Sequence, residues 1–140
     1  MSIIENIDYS INAYFSNRLE NLDCDDNVRA YIVSVLGKFK GTSGDYSNES
    51  ITIIYAEAKY RQDFYMFQNI GDYVFYINSL FPERFNNISQ DLYCSVGRLS
   101  YYSCYKLINR QWKLYEILAD TLPTLSSETR KILTEDLKRY

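Results

Sequence analysis

Hydrophobic positions along this chain recur at steps of three and four, the spacing that gathers side chains on one face of an α-helix. Ile3, Ile4, Ile7, Ile11, Tyr14, Phe15 and Leu19 form the first such stripe and predict a helix over about residues 3–20. The acidic stretch LDCDDN then offers Asp25 or Asp26 as the N-cap of a second helix, VRAYIVSVLGKFK, with Val28, Ile32, Val35, Leu36 and Phe39 on one face. The Gly-, Ser- and Asn-rich segment Gly41–Ser50 reads as a loop, and Ser50 or Asn48 is placed to cap the next helix. That third helix is expected from Ile51 to about Gln68. ITII alone suits a strand, but the AEAKYRQDFYMF after it favours helix.

Asn69-Ile70-Gly71 resembles a helix stop, with Asn or Gly able to take the left-handed conformation. Asp72 would then cap a short fourth helix, DYVFYINSLF, ended by Pro82. Asn86, Asn87 and Ser89 make a turn before a fifth helix from about Ser89 to Ile108, or onward to Leu122. Pro123 is expected to end it, with Ser126 or Ser127 capping a last helix, ETRKILTEDLKRY. The sum is an all-α fold with no sheet, an irregular or up-down bundle of five to seven helices.

Composition narrows where such a bundle works. At 140 residues, 46% hydrophobic and 24% charged, the chain suits one globular domain over 1–140. Its formal charge of −3 and scattered Lys and Arg argue against nucleic acid, whose binding rests on neutralising phosphates. No apolar run is long enough for a membrane span, and the first residues lack the positive start of a secretory signal. Three widely spaced cysteines, Cys24, Cys94 and Cys104, suit reduced thiols, and the expected location is the cytoplasm. The fifteen tyrosines against seven phenylalanines fit either half-wet contact surfaces or a codon usage that also favours Ile, Asn and Lys.

Candidate chemistry is limited first by residue types. Without any histidine there is no Ser-His-Asp or Cys-His triad and no Glu-x-x-His di-iron site. No C-x-x-C pair or phosphate-binding glycine loop occurs, so neither a metal nor a cofactor is expected. Catalysis would fall to carboxylates, tyrosines, lysines or a lone cysteine. The segment Gly71–Glu83 is the most specific place to look. Asp72 and Glu83 flank its short helix as an acid and base, as holders of a divalent cation, as ligand anchors, or simply as a cap and a solvated or Arg-paired residue. The aromatic run Tyr73, Phe75, Tyr76 and Phe81 lines a pocket or fills the core. On the fifth helix Tyr93, Gly97, Tyr101 and Tyr105 share one face, with Gly97 leaving room for a neighbouring helix or a ligand. Arg98 beside them is placed to pair with Asp72 or Glu83, and Cys94 and Cys104 read as small core residues.

Three motifs, R-x-Y-I-V-x-V-L-x-K-F at Arg29–Phe39, GDYVFYINSLFPE at Gly71–Glu83 and L-Y-x-x-x-G-R-L-x-Y-Y at Leu92–Tyr102, resemble a set of uncharacterised bacterial all-helical proteins. That set has a Gly-Asp start, a Phe-Pro-Glu end and a Tyr-x-x-x-Gly-x-x-x-Tyr helix in this order, and this chain departs from it in having Ser79 where a second glycine is usual. The resemblance implies a helical fold and no particular activity. Two functions remain in view. One is a binding or protein-interaction module, associating with a protein or with itself as a homodimer through an aromatic-rich face. The other is a small-molecule site between residues 72–81 and 89–108, lined by Tyr76, Tyr93, Tyr101 and Tyr105 with Asp72, Glu83 or Arg98 as anchors, or a histidine-free enzyme there.

Overall fold

The computed structural model describes residues 12–39, 48–84 and 87–138. Within them the chain forms six helices and no strand: α1 (residues 12–18), α2 (Asp26–Lys38), α3 (Asn48–Arg61), α4 (Phe64–Leu80), α5 (Asn87–Leu107) and α6 (Leu114–Lys138), with a 3₁₀ turn at Pro82–Arg84. The all-α bundle expected from the spacing is therefore present. Residues 3–11 of the first expected helix, residue 40 of the second and 41–47 of the expected loop lie outside the described residues. Asp25 stands at the N-cap position of α2, although its side chain makes no capping hydrogen bond. The Arg29 guanidinium secures that junction, donating to the Leu22 and Cys24 carbonyls at 2.6 and 3.0 Å.

Helix α4 is the axis of the bundle. Every residue from Ile70 to Ser79 is buried, as befits a helix packed on all sides by α2, α3, α5 and α6. Two expectations from the sequence are corrected here. The break falls at Gln62-Asp63 and not at Asn69–Gly71, and Asp72 is a mid-helix residue and not a cap. Gln62 takes the left-handed conformation (φ 50°) and the Asp63 N–H bonds the Ala58 carbonyl at 3.2 Å, a Schellman-type stop built without glycine. Asp63 immediately caps α4, its carboxylate accepting from the Tyr65 and Met66 amides at 3.0 and 3.2 Å. Gly71 is needed for another reason. A Cβ there would sit 2.6–2.9 Å from three carbons of the Tyr101 ring, so the missing side chain is what lets Tyr101 enter the core.

The junction between α5 and α6 uses the same device. Asn109 (φ 56°) and Arg110 (φ 58°) turn the chain, with the Asn109 amide on the Lys106 carbonyl and the Arg110 amide on that of Tyr105. The fifth helix thus stops at Leu107, while α6 runs through Pro123, contrary to the expectation that proline ends a helix there. Proline has no N–H, so the carbonyl four residues earlier, that of Ala119, loses its intrahelical partner. Arg98 on α5 supplies one, its Nε donating to the Ala119 carbonyl at 2.8 Å. Ser126, expected as a cap, instead bonds back to the Leu122 carbonyl at 2.6 Å inside the same helix.

Candidate functional site

Asp72 is 4% exposed and accepts three hydrogen bonds. Tyr31 and Tyr101 hydroxyls donate to its Oδ1 at 2.7 and 2.8 Å, and the Lys38 ammonium reaches Oδ2 at 3.3 Å. Tyr31 and Lys38 lie two turns apart on α2, hence on one face, and Gln68, one turn before Asp72 on α4, donates to the Tyr115 hydroxyl on α6 at 2.7 Å. The Tyr31, Tyr101 and Tyr115 rings meet one another at centroid distances of 5.7–6.4 Å. A single buried carboxyl therefore stitches α2, α4 and α5, and the ring cluster carries the connection to α6.

Electrostatics at this cluster derive from burial. Removal from water raises the Asp72 carboxyl above its ordinary range, against the opposing pull of the Tyr31 and Tyr101 hydroxyls and Lys38. Tyr31 and Tyr101 are raised in turn, first by burial and then by the adjacent Asp72. Both stay protonated as donors. Burial also raises Cys24, Cys94 and Cys104, so none is poised as a thiolate. Among the described residues no group of three or more metal-ligating side chains is gathered.

Of the residues singled out in the sequence, Tyr101 donates a hydrogen bond directly to Asp72. Tyr76 is buried against Phe39 (5.4 Å, stacked) and Phe81 (5.9 Å). Tyr93 is buried on the same face of α5. Gly97 is a close-packing site, since a Cβ there would lie 2.9 Å from Val74 and 3.0 Å from Leu122. Arg98 serves the Ala119 carbonyl and pairs with neither Asp72 nor Glu83. Glu83 is exposed and 3.9 Å from Arg130. Tyr105 is mostly buried with its hydroxyl beside Glu116. Side chains, not open space, occupy α4–α5 at the level of Gly71 and Gly97.

Concave and apolar surface lies elsewhere. A groove of about 480 Å³ opens where α3 crosses α5, with Tyr55, Lys59, Phe67, Tyr102, Lys106 and Leu107 among its walls. A second concavity of about 330 Å³ shares Leu99 and Tyr102 with it and extends to Arg98 and Asp120. At the end of the bundle where both helix junctions sit, three large aromatics face outward: Tyr60 (91% exposed), Tyr65 (75%) and Trp112 (49%). Trp112 and Phe64 both pack on the Tyr115 ring, at 5.6 and 5.5 Å, and Phe64 holds Tyr65 at 5.4 Å. Sequence reasoning missed these residues because they lie on α3, on α4 and in the α5–α6 junction, and no spacing along the chain relates them before the helices are packed. No protein-family model, curated protein or solved structure matches the chain.

Proposed function

We propose that this chain is a helical binding module that associates with a second copy of itself through the aromatic end of the bundle. The observation that carries the reading is the joint exposure of Tyr60, Tyr65 and Trp112 beside the two glycine-free helix junctions. Isolated exposed aromatics need no explanation, but three at one end are the composition of an interface centre. The same rings from two copies, related by a two-fold axis, would bury each other in an isologous contact. Roughly 400–500 Å² of aromatic surface per copy is available, about half of what a standard interface buries on each side. The expected complex is therefore a reversible dimer of micromolar strength or weaker.

Sedimentation equilibrium over a wide concentration range tests it. The chain should move from monomer toward dimer, and Tyr65→Ala with Trp112→Ala should remain monomeric with an unchanged helical circular dichroism spectrum. A wild-type chain that stays monomeric at the highest concentrations reached would overturn the reading.

A further inference from the structure

We propose that the groove between α3 and α5 is a binding site for a small organic anion with an aromatic body. The groove shares Gln62 with the α3–α4 junction, but Tyr60, Tyr65 and Trp112 of the dimer contact do not line it. Its two sides repeat one arrangement: on α3 the Lys59 ammonium lies 5.8 Å from the Tyr55 ring centre, and on α5 the Lys106 ammonium lies 5.2 Å from that of Tyr102. Each side thus presents an aromatic wall with a cation beside it. Between them Leu99 and Leu107 supply apolar surface, and the volume of about 480 Å³ falls in the range of small-ligand sites.

Charge decides the class of occupant. Among the described residues neither lysine has a carboxylate within 4.0 Å, whereas Arg61, one turn from Glu57 on the same helix, is paired with it at 2.9 Å. On a chain of net charge −3, two unpaired cations converging on one groove from different helices form a local positive site. A carboxylate, sulfonate or phosphate would draw on the lysine ammoniums, and a planar apolar body would lie against the tyrosine walls, Leu99 and Leu107. A neutral apolar molecule would leave the lysines unused, and a hydrophilic anion would leave the rings unused. Both features together select an amphipathic aromatic anion.

Anilinonaphthalene sulfonate is a suitable probe, with neutral N-phenylnaphthylamine as its uncharged counterpart, each followed by fluorescence titration. The sulfonate should bind at one site per chain, and Lys59→Gln with Lys106→Gln should weaken it by about tenfold or more, the loss expected for removing charge-assisted contacts. The neutral amine should be unaffected by the same pair of changes. Both lysines are exposed, so the variant is expected to keep the wild-type circular dichroism spectrum and melting temperature. Sulfonate binding should persist in Tyr65→Ala with Trp112→Ala. The proposal is overturned if the sulfonate does not bind, if the lysine variant binds it as tightly as wild type, if both probes weaken in parallel, or if binding disappears with the aromatic end.

Discussion

Replacing Asp72 with alanine removes the one acceptor shared by two tyrosines and a lysine from neighbouring helices. The Tyr101 side chain is fully buried, so its hydroxyl has no route to water once the carboxyl is gone. Leaving such a donor unsatisfied costs about 1–3 kcal/mol. Tyr31 is less exposed to that loss because its hydroxyl can turn to Tyr115, with which it already interacts. Eliminating a desolvated carboxyl offsets part of the total, and the net expectation at neutral pH is a destabilisation of about 2 kcal/mol. Asp72→Asn should cost much less, since its amide oxygen still accepts from both hydroxyls. The two variants also separate by pH. Because burial raises the folded-state carboxyl above its unfolded value, the wild type holds its proton longer when folded. That contribution is complete below the unfolded value of about 3.9 and is lost as pH rises through the folded one. Asp72→Asn has no such slope, so its stability relative to wild type should improve with rising pH. Urea unfolding across a pH series measures both effects. An Asp72→Ala variant within about 0.5 kcal/mol of wild type throughout would refute the stitching role.

Three further outcomes are expected from the packing. Arg98→Met should destabilise the chain by about 1–2 kcal/mol, and by distinctly less in a Pro123→Ala background, where the Ala119 carbonyl regains an intrahelical amide; equal losses in a double-mutant cycle would disconnect the two residues. Gly71→Ala should destabilise by about 1–3 kcal/mol despite alanine's better helix propensity, because its methyl meets the buried Tyr101 ring, and a more stable variant in thermal melts would contradict that contact. Gln62→Gly should stabilise by about 1 kcal/mol by relieving a left-handed conformation, and unfolding midpoints no higher than wild type would argue against the turn.

Much of the fold was legible because burial in a helical bundle writes itself as three- and four-residue spacing. Val28, Ile32, Val35 and Leu36 form the buried stripe of α2 as that spacing predicts. What the spacing could not carry was the difference between a glycine that turns a chain and one that admits a ring. Gly71 followed by Asp72 has the local chemistry of a stop and a cap, yet the pair lies mid-helix because Tyr101, far downstream on α5, requires the space and the acceptor. Conversely, the real stop at Gln62 carries no glycine signal, and Asp63 reveals itself as a cap only once that turn is known. Pro123 misled for a similar reason: its lost hydrogen bond is replaced from another helix, by Arg98. Of the segment Gly71–Glu83, residues 71–79 are buried in the interior, whereas Glu83 is exposed. The groove and exposed rings to which a function is proposed draw on α3, α5 and the two helix junctions, which spacing along the chain does not relate.

Hydrogen–deuterium exchange measured on dilute and concentrated samples tests the binding-module reading most directly. Self-association through the aromatic end predicts added protection, on concentration, at residues 60–66 and 109–115, with the amides of α2 unchanged. Exchange that is independent of concentration, or protection gathered anywhere else on the surface, would contradict it.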